Sequence, residues 1–308
     1  MVATLEGEHF SFEYMEKENV LPQFKMWRTA KDIYSVILYR AIFGGRKDLQ
    51  MQNIKYLIWL TILDLCPKNV IKYLEKNKIE ELWKAREISL NKYFTKEEIS
   101  KILNKKYRQN LQLYEEYIKK YGIKLITIQD QMYPQKLKNI ENPPIILYTI
   151  GNIEILNDRQ IAIVGARRCT EYGSTVAKAF AYSLSKKNIT ITSGLAQGID
   201  KAAHEGTLLA KGKTIAVVGT GLDIIYPKEN KELFEDIISN NGLIISEYPL
   251  GVKPEKQNFP KRNRIISAIS NGVLVVEAGE KSGALITVDF ALEQGKNVYA
   301  VPRKYIKH

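Results

Sequence analysis

The sequence contains few of the residues on which covalent cross-links and metal sites depend. Among its 308 residues there are 2 cysteines and 3 histidines. Cys66 and Cys169 lie far apart and form no CxxC or Cys/His spacing, so the sequence indicates neither a disulfide framework nor a zinc site. Because this cysteine usage suits a reducing compartment, we expect a cytoplasmic protein that holds no metal and no other cofactor.

Long apolar runs are also absent. The longest, from Tyr56 to Cys66, is about half of the roughly 20 residues that a membrane-spanning helix needs, and Thr61 and Asp64 interrupt it. The first residues, MVATLEGEHF, are acidic where a secretion signal carries basic residues before an apolar core. The sequence therefore predicts neither membrane insertion nor secretion.

Basic residues outnumber acidic ones. The chain has 46 Lys and Arg against 34 Asp and Glu, which gives a formal net charge of +12 and a pI of about 9.3. Such a balance favours a polyanionic partner, for example a nucleic acid. The chain is also rich in Lys, Ile and Asn, a bias that AT-rich coding can produce without any ligand, so charge alone leaves both explanations open.

The hydrophobic pattern divides the chain into three parts. Residues 1–50 have mixed character, and we assign them no fold. In residues 51–120, apolar residues recur at helical spacing and predict a small all-helical domain. Within it, Thr95 and Glu98 form a capping-box pattern that should open a helix. Residues 121–308 are predicted to form an α/β domain.

Six short runs in the last part have the composition of buried strands. They lie at residues 161–164, 189–192, 214–218, 243–246, 273–276 and 297–301. Each pair is separated by a segment long enough for a helix, which predicts a Rossmann-like parallel sheet with helices on both faces. Right-handed crossovers place the loops after the strands at one edge, where ligands bind.

The loop after the first predicted strand runs from Gly165 to Arg168. Glycine allows a ligand to approach the backbone closely, and Arg167 is suited to hold a phosphate by forked hydrogen bonds. The loop is not GxGxxG, and Ser193 and Gly194 follow the second strand where a dinucleotide fold would place an acidic residue. An NAD-type site is therefore not favoured.

The loop after the second strand has features of an anion site. Ser193 and Gly194 stand at the junction of a strand and a helix and could accept an anion. Asp200 and His204 lie one helical turn apart, which permits a metal or acid/base pair. We favour a capping aspartate that is hydrogen-bonded to the histidine.

The loop after the third strand carries Gly219 and Gly221, followed by Lys228. Their functional interpretation requires that the backbone amides and Lys228 face the same cleft as Arg167. The alternative is a glycine-rich turn that only ends a strand.

The segment KQNFPKRNR, residues 256–264, places an aromatic residue within a basic cluster. Cationic groups neutralise phosphates, while an unpaired base can stack on Phe259 for about 1–3 kcal/mol. The predicted contacts to a single strand are Arg167, Arg168, Lys256, Phe259, Lys261, Arg262, Asn263 and Arg264. In the alternative interpretation, Phe259 lies in the core and the arginines pair with Glu247 or Glu277.

Taken in order, and together with SEYP at 246–249 and EAGEKSGALIT at 277–287, these loops resemble the motif series of the DNA-processing protein A (DprA/Smf) family. The resemblance covers about residues 51–302. It adds Ser282 and Gly283 to the predicted phosphate-approach loops, which also include Gly165, Ser193, Gly194, Gly219, Gly221 and Lys228. The helices from Met51 resemble the SAM-like or helix-hairpin-helix region of that family.

The resemblance implies a single-stranded-DNA-binding protein of natural transformation, which protects the incoming strand and loads the RecA recombinase. It implies that Arg167, Lys256 and Phe259 contact the strand and that Arg262 and Arg264 belong to a basic FPxRNR segment. It leaves a homodimer open. Family members commonly begin near Met51 and continue beyond Val301-Pro302, so we expect an extension at one end and missing elements at the other.

An enzyme is the competing interpretation. Fold relatives include nucleotide phosphoribohydrolases, whose PGGxGTxxE loop has no counterpart in residues 277–287, where the double glycine and the downstream Glu are absent. His9, His204 and His308 offer no evident pairing of a nucleophile with a base. We therefore predict a non-catalytic protein, with a nucleotide-binding or phosphoribohydrolase-like protein as the alternative.

Overall fold

The computed structural model describes residues 4–5, 8–9, 47–109, 111–280 and 282–302. Contacts divide the chain into two units, Met1–Gln52 and Asn53–His308. In the first unit, β1 (Thr4–Leu5) pairs antiparallel with β2 (Glu8–His9). Most of residues 1–50, to which we assign no fold from the sequence, lie outside the described residues. So do residues 303–308, where we expect terminal elements to be missing.

Helices fill the segment that precedes the sheet, which confirms the prediction from its periodicity. They are α1 (Lys47–Leu63), α2 (Pro67–Leu74), α3 (Ile79–Lys84), α4 (Glu87–Leu90), α5 (Lys96–Leu103) and α6 (Leu111–Lys120). Pro67 opens α2, a position at which the missing N–H of proline breaks no helical hydrogen bond. Of the helices in the described ranges, none has the length and apolar character that crossing a bilayer requires.

Eight strands form the main sheet. They are β3 (Lys124–Thr127), β4 (Ile146–Gly151), β5 (Gln160–Val164), β6 (Thr190–Ser193), β7 (Thr214–Val217), β8 (Leu243–Ser246), β9 (Gly272–Val275) and β10 (Asn297–Ala300). The spatial order is β10-β9-β5-β6-β7-β8-β4-β3. The six strands β5 to β10 are parallel and are the six predicted ones, while β4 and β3 add an antiparallel edge that the sequence analysis did not assign.

Helices cover both faces of this sheet, as predicted. The helices of the α/β part are α7 (Gln135–Lys138), α8 (Glu171–Ser185), α9 (Ile199–Leu209), α10 (Lys231–Ser239), α11 (Asn258–Ile269) and α12 (Gly283–Glu293). Alanines of α8 and α9 pack with Ile163 and Ile191 on one face. Residues of α11 and α12 pack with Ala162 and Val217 on the other. The sheet is therefore a buried middle layer, whose exposed parts are its edges.

The helices α1 to α6 share a hydrophobic core with the sheet. Ile58 and Leu82 belong to the same buried cluster as Tyr148 and Ile244. The hydroxyl of Tyr148 lies 2.7 Å from the hydroxyl of Thr61, so one buried polar contact also joins α1 to β4. The boundary near residue 120 thus marks a change of secondary structure within a continuous core.

The capping box predicted at Thr95 and Glu98 is present and extends to a neighbouring helix. The backbone N–H of Thr95 donates to the carboxylate of Glu98 at 2.8 Å, and the N–H of Glu98 donates to the Thr95 hydroxyl at 3.3 Å. The same carboxylate accepts from the N–H of Cys66 at 2.9 Å and from the amide of Asn69 at 2.8 Å. Burial acts to raise the pKa of Glu98, but these hydrogen bonds outweigh it and lower the pKa below its usual value.

Replacing this carboxylate should destabilise the helical segment in a pH-dependent way. Glu98→Gln should lower the free energy of unfolding by about 1–3 kcal/mol near neutral pH, because a neutral amide accepts these N–H groups less strongly. The pKa of Glu98 is lower in the folded chain than its unfolded value of about 4.3. Its contribution is therefore present above that value and is lost as the pH falls through the folded pKa.

Urea unfolding of the wild-type and Glu98→Gln proteins should show a difference in the free energy of unfolding at neutral pH. This difference should become smaller in acid. Glu97 is the exposed neighbour of Glu98, and Glu97→Gln should change the free energy by less than about 0.5 kcal/mol. An equal difference at neutral and acid pH would contradict the assigned role of the carboxylate.

Candidate nucleic-acid interface

The carboxyl ends of the parallel strands form one edge of the sheet. Strand order reverses at β5, which lies between β6 and β9, so the chain leaves these neighbours in opposite directions and opens a crevice above β5. The sequence-predicted site residues lie at this edge: Ser193 ends β6, Phe259 and residues 261–264 lie on α11, Ser282 and Gly283 open α12, and the others lie between a strand and the helix that follows it. The crevice is therefore the place to look for a site.

The backbone of Arg167 is held firmly at this crevice. Ala166 donates its N–H to the carbonyl of Glu277 at 2.7 Å and accepts from the N–H of Ile199 at 3.2 Å. Gly198 has a φ of +76°, and a Cβ there would stand 2.3 Å from the Ala166 carbonyl oxygen and 2.6 Å from that of Arg167. The loops after β5, β6 and β9 are thus bonded or packed together, and the Arg167 side chain is exposed.

Arg167, Tyr226 and Phe259 form a contiguous group, which we call the aromatic cluster. The guanidinium carbon of Arg167 lies 5.1 Å from the centre of the Phe259 ring, a cation–π distance. The rings of Phe259 and Tyr226 have centroids 5.4 Å apart and are tilted by 38°. Phe259 is half-buried over Gly219, whose absent Cβ would stand 3.1 Å from the ring, while Tyr226 is exposed.

Four further predicted cations lie on the loops and helix starts at this edge of the sheet. Arg168, Lys228, Lys256 and Lys261 are all exposed. None of them makes an ion pair with a carboxylate among the described residues. Their charges are therefore not neutralised by the protein, and they can attract phosphates.

Arg262 has a different role from the one predicted. It is buried, and its guanidinium donates to the carbonyl of Gly194 at 2.8 Å and to the carbonyl of Val217. The absent Cβ of Gly194 would stand 2.7 Å from both Arg262 and the buried carboxylate of Asp200. The structure therefore corrects the prediction that Arg262 contacts DNA, because its donors hold the ends of β6 and β7.

Burial and neighbouring charges shift the pKa values of Arg262 and Asp200. Burial and the positive charge of Arg167 lower the pKa of Arg262 to about 10, although Asp200 opposes the shift. Burial raises the pKa of Asp200, while Arg262 and hydrogen bonds from the loop act to lower it. The positive charge of Arg262 thus acts against the effect of burial on the Asp200 pKa.

Arg264 and Asn263 also point away from the aromatic cluster. Arg264 pairs with Glu247 at 2.5 Å and donates to the carbonyl of Asn142 at 3.0 Å. This pair realises the alternative in which an arginine of the segment is bonded to Glu247. The Asn263 amide donates to the carbonyl of Gly283 at 3.2 Å, so both side chains bind neighbouring elements of the protein.

The predicted anion loop after β6 is closed. Ser193 is buried and donates its hydroxyl to the carbonyl of Ile163 at 2.7 Å, while Gly194 is covered by Arg262. Gly165 is similarly close-packed, since a Cβ there would stand 2.5 Å from Ile199. The glycines at these loops serve close packing between loops, which corrects the prediction that Ser193 and Gly194 approach a phosphate.

The remaining phosphate-approach residues are placed as follows. Gly221 is buried, and its absent Cβ would stand 2.5 Å from the carboxylate of Asp223. Ser282 caps α12 by accepting from the N–H of Ala284 at 3.3 Å, and Gly283 is exposed. Ser282 and Gly221 thus have structural contacts, and Gly283 presents its backbone to solvent.

Asp200 and His204 do not form the pair that we favoured. Asp200 accepts weakly from the N–H of Ala196 at 3.4 Å, and His204 Nδ1 lies 2.7 Å from the hydroxyl of Thr214. Burial, with a smaller contribution from Arg262, lowers the pKa of His204 to about 3, so the ring is neutral. In the described part of the chain, no group of three metal-binding side chains converges.

Glu277 occupies the start of α8. Its carboxylate accepts from the N–H of Thr170 at 3.1 Å and from the Thr170 hydroxyl at 2.8 Å. An added Cβ at Gly173 would stand 2.2 Å from the same carboxylate. In a dinucleotide fold the corresponding helix start binds a pyrophosphate, whereas here the protein supplies its own anion.

Tyr226 is the residue that the sequence analysis missed. The sequence places it after the glycine-rich loop of β7, at the same edge as Phe259. An aromatic residue following a glycine-rich strand-end loop was the available signal. Its contact with Phe259 depends on tertiary packing, since the two residues are 33 positions apart in the sequence.

Comparisons with known proteins agree on one family. The family model described as "DNA recombination-mediator protein A" matches residues 124–308. The chain is 42% identical over 257 residues to Protein Smf of a Synechocystis species and 46% identical over 176 residues to the DNA processing protein DprA of Streptococcus pneumoniae. These alignments cover 80% and 57% of this chain, and 64% and 62% of the relatives, so the chain spans about three fifths of their length.

Two solved structures are similar at the level of fold and sequence. The DNA processing protein A of Streptococcus pneumoniae has a TM-score of 0.64 at 35% identity, covering 81% of this chain and 87% of that one. The DNA processing protein A of Helicobacter pylori, whose structure concerns a single-stranded DNA binding mode, has a TM-score of 0.54 at 32% identity. That match covers 59% of this chain and 82% of the other.

Removing the Arg262 side chain should affect stability first. Arg262→Ala leaves two buried carbonyls without their donor and Asp200 without its countercharge, which should cost roughly 3–5 kcal/mol. Urea unfolding measures this loss. Lys261→Ala, at the exposed neighbouring position, should change the free energy by less than about 0.5 kcal/mol. Wild-type stability in Arg262→Ala would show that the guanidinium is free to contact a ligand.

Proposed function

Because the chain belongs to the DNA recombination-mediator protein A family, we propose that it is a single-stranded-DNA-binding protein of natural transformation and recombination. The observation that carries the proposal is the aromatic cluster, in which the guanidinium of Arg167 lies over Phe259 and Tyr226 lies beside it. The cluster stands at the sheet edge where the loops after the parallel strands lie. The Helicobacter pylori relative, which binds single-stranded DNA by its published description, supports the same ligand.

The cluster has the chemistry that an unpaired base requires. A base can stack on the exposed ring of Tyr226 or on the Phe259 ring, and the planar guanidinium of Arg167 can stack on a base or bind a phosphate in forked fashion. Bases of a duplex are stacked on each other and hide their faces. A single strand is therefore the form of DNA that these rings fit.

Unpaired cations at the same sheet edge would bind the phosphates of the strand. Arg168, Lys228, Lys256 and Lys261 are exposed without carboxylate partners among the described residues, so each can neutralise a phosphate. Neutralising phosphates releases counterions, and binding should weaken as salt rises. Because phosphates and base faces are common to all sequences, we expect little sequence preference.

The proposal extends to the cell biology that the family resemblance implies. We propose that the protein protects incoming DNA in the cytoplasm and helps to load the RecA recombinase. We also propose that two copies of the chain form a homodimer. In this proposal the protein acts without catalysis, which two observations support. The Glu277 carboxylate is held by Thr170, and His204 is buried and neutral.

Arg167→Ala should weaken binding of a six-nucleotide oligo-dT and flatten its salt dependence. Each phosphate contact to a single strand contributes about 0.7 to the slope of log affinity against log salt, so the slope should fall by about that amount. Fluorescence anisotropy at several salt concentrations measures both quantities. Arg159→Ala is the matched control, because Arg159 is exposed at the opposite end of β5.

If the wild type and Arg167→Ala bind with equal affinity and with equal salt dependence, Arg167 does not contact the strand. Duplex DNA of the same length should compete poorly. Efficient competition by duplex would contradict the single-strand preference.

Phe259→Leu and Tyr226→Leu should each weaken binding while leaving the salt slope nearly unchanged. Leucine keeps apolar bulk but removes the ring face, and a lost stacking contact typically costs about 1–3 kcal/mol. The same anisotropy titrations separate this loss from a charge effect. An altered slope with no loss of affinity would mean that the rings position cations and do not stack on bases.

A further inference from the structure

A cavity lies beside the sheet, away from the aromatic cluster. It has a volume of about 460 Å³ and lies beside α7 and the end of α12. Lys296 lines it and directly precedes β10, and Lys136 donates to Asn271, which directly precedes β9, at 2.9 Å. The cationic end of the cavity is therefore at the amino ends of the parallel strands, opposite the candidate interface.

The two lysines of this cavity are unusual neighbours. Neither Lys136 nor Lys296 makes an ion pair with a carboxylate in the ranges that the structure describes. Partial burial lowers the pKa of both, and the charge of Lys136 lowers that of Lys296 further. Two ammonium groups that repel each other in a partly desolvated place are stabilised by an anion that binds between them.

The other walls of the cavity suit a ring with a polar edge. Phe290 and Ile140 provide aromatic and aliphatic surface. The Gln294 amide donates its N–H to the carbonyl of Arg264 at 3.2 Å, while its Oε1 is buried and has no hydrogen-bond partner. A buried acceptor without a donor is costly unless a ligand or water supplies one.

Two carboxylates also line the cavity. Glu141 pairs with Lys68 at 3.2 Å on the surface, and Glu293 is exposed. Within the described residues neither forms an ion pair with Lys136 or Lys296, and both can accept from hydroxyl groups of a sugar.

From these contacts we propose that this cavity binds a nucleotide, with its phosphate between Lys136 and Lys296 and its base against Phe290. The Gln294 side chain lines the same cavity, so the polar edge of the base would lie beside it. The cavity volume is within the range of about 300–1,000 Å³ that small-molecule sites occupy. The nucleotide is either a free nucleoside phosphate or one unit of a DNA strand.

Calorimetric titration with deoxyadenosine 5′-monophosphate tests the site directly. The variant Lys136→Gln/Lys296→Gln should weaken this ligand about tenfold or more, because both charge-assisted hydrogen bonds to the phosphate are lost. Deoxyadenosine, which lacks the phosphate, should bind weakly to wild type and variant alike. Lys187→Gln/Lys211→Gln removes the same charge from two exposed lysines outside the cavity lining and should leave affinity unchanged.

The two proposals can fail separately. Arg167→Ala should leave binding of the mononucleotide unchanged, and the cavity variant should leave binding of (dA)6 at the candidate interface unchanged. Equal mononucleotide affinity in wild type and cavity variant, or its loss in Arg167→Ala, overturns the second site.

Oligonucleotide length distinguishes the two sources of the nucleotide. If the mononucleotide does not bind the wild type, weaker binding of (dA)20 but not of (dA)6 by the cavity variant supports a strand that reaches the cavity. If the cavity variant changes neither oligonucleotide in that case, the proposal is wrong.

Discussion

The geometry of the candidate interface depends on the buried guanidinium of Arg262. It bonds the carbonyls of Gly194 and Val217, where β6 and β7 end, and its charge faces Asp200. A buried charge is tolerated only when it is paired and hydrogen-bonded, so α11 cannot shift without leaving these groups unsatisfied. Phe259 lies three residues earlier on the same face of α11. The contact that holds Arg262 therefore also fixes where the Phe259 ring meets Arg167.

The protein satisfies some of its charges internally and leaves others exposed to solvent. Glu277 binds the start of α8, Glu247 binds Arg264, and Arg262 binds strand-end carbonyls. These contacts lock the loops together and close the backbone sites that a dinucleotide fold would offer. Arg167 remains exposed at the same edge, beside two aromatic rings. An edge that is rigid in its backbone and open in its cationic side chains suits a flexible polyanion more than a small cofactor.

The two proposed sites use similar groups in different settings. At the aromatic cluster, cations and rings are exposed along an edge, so a strand can pass through and its sequence matters little. At the cavity beside α12, two lysines, one ring and one buried amide oxygen surround a limited volume. A site of limited volume takes one nucleotide, whereas the exposed edge can take several in succession.

The sequence by itself determined the six parallel strands, the helical segment before them, the Thr95–Glu98 cap and the edge at which the site should lie. Buried parallel strands are continuous apolar runs, and a capping box involves residues within one helical turn. The local sequence is therefore enough to predict both features. Only the tertiary structure decided which side chains of the KRNR run reach solvent, because successive residues of a helix point about 100° apart and neighbours determine which direction is buried. For the same reason Arg262 is a buried support. Tyr226 joins the aromatic cluster because tertiary packing brings its loop beside Phe259.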